Sequence, residues 1–577
     1  MYLRKCRKSV AGAEYVYWQL VESQRTARGP RQRVVAYLSD IEEAYRLGTA
    51  AAASGNDTHQ ESLLADEVKA EWVEVDVSRL RAERVVDFGP YWLGMQILAK
   101  LGLTEFLAQL LEEGRERVPW SAMAMVLVLM RLVDPSSELR IAESLFERSA
   151  LADLLGIPAS KVNDDRLYRA LDRLRPHKAA LERYLKERLG QLFQLDYDLL
   201  LYDITSTYFE GACPANAAAR YGYSRDKRSD CKQVCIGLVV SREGMPLGYE
   251  VFAGNRADVS TVQEIVEKIE AQYGRAQRVW VMDRGMVSRR VLDHLQSGGR
   301  RYIVGTPRSQ LRRFTAELAN EAGWAVLGEG VWGKLIVGED GKERFLLCRS
   351  EARGAKERAM LERFAQRIEE GLRKLAAACA GERKLHQTQV ERRLGALLSE
   401  NSRAKGLFQV QVGAREDGGA RVEWERQEKA SQWAQRREGC YLLRTNVEGT
   451  AAELWRSYMQ LTEAEAAFRI QKSDLRIRPI WHQRQERVEA HILVCFLAYV
   501  LWKTLAQMCK AAGLGDEPRQ VLDELSSIKM MDVVLPTRGG VELRRRCVSR
   551  PSKAQAVLLS KLRLRLPAYV SAPETVV

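Results

Sequence analysis

At 577 residues the chain is longer than one hydrophobic core usually serves, so three or more folded units are expected, and 46% hydrophobic side chains suffice to fill them. Its 90 Lys and Arg against 76 Asp and Glu give a net charge of +14, which favours a polyanionic partner. The 10 cysteines are scattered without a tight framework, which excludes a disulfide-stapled secreted scaffold and reads as reduced thiols in a cytoplasmic protein. The opening stretch MYLRKCRKSVAGAEY lacks the apolar core of a signal peptide. The longest apolar runs, Trp120 to Met130 and Ile492 to Trp502, are too short for a bilayer span and read as core helices, with no membrane partner.

In chain order, residues 1–46 alternate polar and apolar in EYVYWQLVESQ and QRVVAYLSD around RTARGPR, which predicts a basic β-hairpin module. Residues 47–87 open with the Ala/Gly/Ser stretch LGTAAAASGNDTHQE and read as a linker region. Across 88–193 the apolar spacing becomes helical, with Asp164 and Asp165 as caps before RLYRALDRL.

The period then changes to that of strands. Residues 197–209, 233–240 and 246–252 read as three strands, with Arg242 to Gly244 turning the chain between the last two. A helix over 259–273, a strand over 278–282, a helix over 288–296 and a strand over 301–304 complete the order βββαβαβ. Asp203 lies within the first strand and Asp283 ends the fourth. A carboxylate inside an apolar strand is costly to bury without a partner, and a shared divalent cation supplies one. This α/β order resembles the RNase H-like nucleotidyl-transfer fold, so 194–305 is expected to be the first part of a catalytic core.

Residues 306–451 carry strand-like runs (GKLIVGED, ERFLLCRS, GLFQVQVGA, GCYLLRT) around a charged amphipathic stretch over 351–399, which predicts a β-rich insertion with a helical excursion. The core resumes over 452–515. There Tyr458, Leu461, Glu465, Phe468 and Lys472 fall on one stripe of a single predicted helix. Such a stripe also suits an ordinary amphipathic core helix, but Glu465 is followed by Arg469, Lys472, Arg476, Arg478, Arg484 and Arg487, and a carboxylate beside a basic run suits phosphodiester chemistry. The C-terminal region, 516–577, sets Arg544, Arg545, Arg546, Arg550, Lys553, Lys561, Arg563 and Arg565 against Glu542, a tail suited to lie along phosphates.

The segments YDITSTYFEG, YGYSRDKRSD, REGMPLGYEVFAGN, MDRGM and RPIWHQRQERVEAHILVCFLAYVLW resemble those of DDE transposases of prokaryotic insertion sequences, in the group whose third motif reads Tyr-x2-Arg-x3-Glu-x6-Lys. Here that motif is Tyr458, Leu461, Glu465 and Lys472, so leucine replaces the arginine. The likeness covers most of 195–505.

The resemblance implies that Asp203, Asp283 and Glu465 hold two divalent ions, Mg2+ with Mn2+ as a substitute, for in-line displacement at phosphorus. It also implies a substrate of double-stranded DNA, the element's terminal repeats and the target. The N-terminal hairpin and helical region would bind DNA ends, and a homodimer would process both ends together. Arg284, Tyr458, Lys472, Arg469, Arg476 and Arg478 are the candidate DNA contacts; Arg284 also suits a structural turn and Tyr458 simple packing. A catalytically inactive DNA-binding regulator and a stand-alone RNase H-like nuclease are the other readings. The intact acids argue against the first, and the insertion and basic modules against the second.

Other signals carry less. GEGVWG at Gly328, Gly330 and Gly333 matches a dinucleotide fingerprint by letter but precedes the strand-like KLIV, which predicts a hairpin turn. Cys231 and Cys235 have no second pair at zinc spacing. No glycine-rich loop followed by Lys-Ser or Lys-Thr is present, so no nucleotide cofactor is expected. His482 and His491 read as phosphate contacts or core residues.

Overall fold

A computed structural model describes residues 2–10, 13–26, 29–38, 74–111, 118–381, 385–415 and 418–570, with side chains from residue 74 onward. The Ala/Gly/Ser segment read as a linker lies outside the described residues. The chain forms two compact units, Met1–Arg278 with Gln460–Val577, and Val279–Met459.

In the first unit the N-terminal segment is a three-stranded antiparallel sheet, Tyr2–Val10, Ala13–Thr26 and Gly29–Leu38, one strand more than the predicted hairpin. The end of the predicted linker is itself a strand: Arg81–Asp87 pairs with Lys529–Pro536, which pairs in turn with Glu542–Val548. Part of the predicted basic tail is therefore structural. Arg546 pairs with Asp532 at 2.7 Å and with Asp153, and Arg544 with Glu83 at 3.4 Å.

Two apolar helices form the core of this unit. Trp120–Val133 is buried around nearly its whole circumference and packs on Gln485–Ala511, as expected of a helix that is hydrophobic all round. Gln485–Ala511 has 27 residues and is long and apolar enough to cross a membrane, which overturns the reading of its apolar run as too short. Its apolar window is 89% buried inside the protein, so its hydrophobicity is already satisfied there. The helix Asp164–Leu174 is capped by Asn163, whose side chain accepts the Arg166 amide at 2.9 Å; Asp164 and Asp165, predicted as caps, sit in the first turn, where carboxylates favour the helix dipole.

Three antiparallel strands follow, Leu199–Tyr208, Gln233–Val240 and Pro246–Ala253, adjacent in that order. Gln233–Val240 is buried at every position, as a central strand requires. Gly244 turns the hairpin at φ +75°, and a Cβ there would lie 2.6 Å from the Glu463 carboxylate, so the position needs glycine twice over.

The second unit is built on strands in the order Ala325–Gly328, Val331–Val337, Arg344–Ser350, Cys440–Thr445, Arg301–Gly305 and Val279–Met282. The last two, read from sequence as part of the catalytic core, are joined to the strands of the predicted insertion by the pairing of Arg301–Gly305 with Cys440–Thr445. GEGVWG is a hairpin, with Gly330 at φ +63°. The helical excursion comprises Glu351–Ala380 and Gln387–Glu400, which pack on the hairpin of Phe408–Ala414 and Ala420–Arg426 around Ile368, Leu372, Val390 and Phe408.

Candidate active site

Asp203 is the fifth residue of Leu199–Tyr208 and the first position of that strand that is not fully buried; the four residues on either side of it are. Alternation would turn it to the same face as Leu201 and Thr205, which are both buried. Its Oδ1 accepts the Ile204 amide at 2.8 Å.

The helix Thr462–Ser473 packs on this strand and on Gln233–Val240. Ala464, Ala467, Phe468 and Gln471 form its buried face, and Glu465 is exposed in its first turn beside Glu463. Negative charge is favoured there by the unsatisfied amides of the helix start.

The single stripe expected from Tyr458 to Lys472 does not form. Ala451–Met459 ends before a turn at Gln460 and Leu461, where the Glu463 amide bonds to the Gln460 carbonyl at 2.8 Å in place of the four-residue helical step. Tyr458 consequently belongs to the second unit, while Leu461, Glu465, Phe468 and Lys472 belong to the first. No Pro or Gly marks this break in the sequence.

Asp283 ends the strand Val279–Met282, and Arg284–Met286 turns the chain after it; Asp283 and Arg284 are both exposed. The Tyr458 hydroxyl donates to Asp283 Oδ1 at 3.3 Å, and burial followed by the Asp283 charge pushes the phenol pKa well up. Gly305 makes room for this contact, since a Cβ there would lie 2.6 Å from the Tyr458 oxygen.

Among the predicted phosphate contacts, Arg469 and Arg476 are exposed, Arg476 at φ +46° with its carbonyl accepting from Arg131 at 3.2 Å. Lys472 and Arg478 are engaged within the unit. Both pair with Asp226, Lys472 at 2.9 Å, and the Asp226 side chain is only 4% exposed. Burial lowers the Lys472 pKa against the opposing pull of Asp226. Asp226 Oδ2 is buried with no hydrogen-bond partner, so the carboxylate is spent on its two cations through one oxygen. Beside it, Arg225 binds Asp258 at 2.6 Å and its amide bonds Ser206 on the Asp203 strand at 3.2 Å. Asp226 was missed from sequence; its signal was a lone acid among cations in SRDKR.

Glu138, His482 and His491 form a compact group, with ligand atoms within 4.8 Å of one another. The arrangement does not suit a cation. His491 Nδ1 faces the Arg131 guanidinium at 3.3 Å and Nε2 the Ile477 carbonyl at 3.1 Å, so both ring nitrogens are engaged and a positive charge adjoins them. Burial, then Arg131, pushes the His491 pKa down to about 3. The two histidines are buried core residues.

The model of the transposase DDE domain matches residues 194–501, and that of the N-terminal domain of the IS1634 family transposases matches residues 3–65. The chain belongs to the DDE transposases. It is therefore an enzyme of metal-dependent DNA cleavage and strand transfer from a prokaryotic insertion sequence. Among solved structures, the transposase is similar to the piggyBac transposase in a synaptic complex with hairpin DNA, at 10% identity over 79% of this chain and 83% of that one, with a TM-score of 0.35. It is also similar to the Mos1 transposase in a paired-end complex with the left transposon end, at 12% identity over 36% of this chain and 64% of that one, with a TM-score of 0.14. No curated protein matches the transposase.

Proposed function

We propose that this transposase uses Asp203, Asp283 and Glu465 as the ligands of two divalent cations on an RNase H-like catalytic domain, and that it binds the terminal repeats of its own element, cuts there and joins the 3′ ends to target DNA. The observation that carries this reading is the packing of the Glu465 helix on the strand whose buried run is interrupted by the Asp203 carboxylate. All three acids lie within the matched residues 194–501.

The donor set fits magnesium, with manganese as a substitute: carboxylate oxygens only, at exposed or half-exposed positions where a hard cation keeps its waters. When bound, the cations supply Lewis-acid stabilisation of the attacking and leaving oxygens. The chain's own residues orient the acids, Asp203 through the Ile204 amide and Asp283 through the Tyr458 hydroxyl. Exposed Arg284, Arg469 and Arg476 position the DNA backbone through charge-assisted contacts, and Asp226 holds Lys472 and Arg478 in place. Processing both ends together calls for a homodimer on double-stranded DNA, with the enzyme at work in the cytoplasm on the nucleoid.

The test is cleavage and joining of a DNA fragment bearing the element's ends, with Mg2+ or Mn2+, by wild type and Glu465→Gln. The substitution nearly preserves shape and removes the charge, and loss of several kcal/mol of transition-state stabilisation corresponds to at least about a hundredfold slower reaction with binding retained. Equal cutting by both proteins removes Glu465 from the site. Binding without cutting by wild type favours a DNA-binding regulator, and cutting without joining favours a nuclease.

A further inference from the structure

The second unit contains two adjoining cavities of about 420 and 570 Å3 that share Leu361, Arg403 and Arg437 in their walls. The first is lined also by Arg284, Arg308 and Arg353, and so begins at the residue that follows Asp283. The second adds Arg312 and Lys429 and no carboxylate.

Both acids of the first cavity are engaged, Glu357 with two cations of the same cavity and Glu438 with an arginine outside it. Glu357 pairs with Arg308 and with Arg353 at 3.1 Å and accepts the Gly439 amide at 2.9 Å, and Glu438 pairs with Arg358 at 2.8 Å. Among the described residues, no carboxylate pairs with Arg284, Arg312, Arg403, Lys429 or Arg437. Burial and the like charges of Arg308 and Arg312 lower the Arg437 pKa, which marks a repulsive field. Arg403 meets the Met360 sulfur at 2.6 Å and the face of Phe364, neither of which neutralises it.

Two donors point the same way. Arg308 lines the first cavity and Trp433 the second, and Arg308 Nε and Trp433 Nε1 are buried with no hydrogen-bond partner. Buried donors are nearly always satisfied in folded proteins, so a pair of orphans among uncompensated cations calls for an anionic acceptor.

We propose that these two cavities form one groove that binds successive phosphodiesters of a DNA strand, with Arg403 and Arg437 at its middle and Arg284 leading the strand to Asp283. Five cations with no carboxylate partner among the described residues, Arg284, Arg312, Arg403, Lys429 and Arg437, suit a polyanion better than a single phosphate, because each phosphate of the strand neutralises one cation and releases a counterion. The contacts are sequence-independent and hold the strand in register with the reacting acids. The inference rests on DNA being the substrate.

The test measures binding of a fluorescent random-sequence duplex over a salt series by the full-length protein, as wild type, Arg403→Gln, Arg437→Gln, the double variant and Arg437→Lys. Arg392→Gln, exposed on Gln387–Glu400, controls for the loss of one charge. Each groove glutamine should lower the slope of log affinity against log salt by about one and the double variant by about two, with Arg437→Lys and Arg392→Gln close to wild type. Arg403→Gln breaks no ion pair, so its folding is safe if Arg437→Gln proves unstable. Wild-type binding with groove variants indistinguishable from Arg392→Gln overturns the groove and leaves the assigned function intact. Failure of the wild type to bind any duplex overturns both.

Discussion

The two units treat their positive charge in opposite ways. In the first, Lys472 and Arg478 are drawn onto the buried Asp226, Arg225 onto Asp258, and Arg546 onto Asp532 and Asp153. In the second, Arg403, Arg437, Arg312 and Lys429 face one another across a groove whose two acids are held by other arginines. The basic run after Glu465 and the basic C-terminal tail looked from sequence like the principal DNA-contacting surfaces, yet part of each is structural. The positive charge available to a polyanion is what the fold leaves unpaired, and that is a different set from the cations clustered in the sequence.

The largest test of this contrast is Asp226→Asn. Removing the shared carboxylate leaves Lys472 and Arg478 close together and uncompensated, and breaking a buried pair of this kind costs about 3 kcal/mol in denaturant unfolding. A loss no greater than about 0.5 kcal/mol, the scale of an ordinary surface change, would show that these cations are not internally committed. The glutamine variants of Arg403 and Arg437 should act the other way, weakening DNA binding with little effect on unfolding.

A smaller effect distinguishes the closed polar network of the first unit. His491 has its pKa at about 3 in the fold against an ordinary 6.5, because burial disfavours the imidazolium and Arg131 repels it. Below pH 6.5 the unfolded chain takes up a proton that the folded one refuses. This contribution is therefore complete above that pH and is lost as pH falls toward 3, with a slope of up to about 1.4 kcal/mol per unit. His491→Gln should flatten that part of the stability profile; an unchanged acid slope would mean that His491 takes its proton in the folded state.

The smallest effect concerns Tyr458 in the second unit. Tyr458→Phe removes one hydrogen bond to Asp283, worth about 1 kcal/mol, and should slow cleavage severalfold without unfolding the protein. Gly305→Ala should reproduce that defect by displacing the phenol, and should add nothing to Tyr458→Phe if the ring oxygen is the only atom it disturbs. Full activity of Gly305→Ala would separate Tyr458 from the acid.

Much of the secondary structure was legible. The strands predicted at 197–209, 233–240 and 246–252 form as Leu199–Tyr208, Gln233–Val240 and Pro246–Ala253, because short apolar runs and a turn at Gly244 are local signals. The stripe across Tyr458 and Glu465 was not legible, since the helix breaks at Gln460 and Leu461 without a residue that forces it. The strand Tyr2–Val10 was missed for the opposite reason: its sequence YLRKCRKSV, with Arg4, Lys5, Arg7 and Lys8, has no apolar alternation to read.

By itself the sequence determined the order of strands and helices, the placing of Asp203 in a strand, Asp283 at a strand end and Glu465 on a helix, and the transposase family to which these motifs belong. Those depend on neighbours a few residues apart. The tertiary structure alone decided that Arg301–Gly305 pairs with Cys440–Thr445 of the predicted insertion, that Asp226 claims Lys472 and Arg478, and that arginines from 284 to 437 converge on one groove. Sheet pairing and charge neutralisation act between residues far apart in the chain, so local pattern carries no record of them.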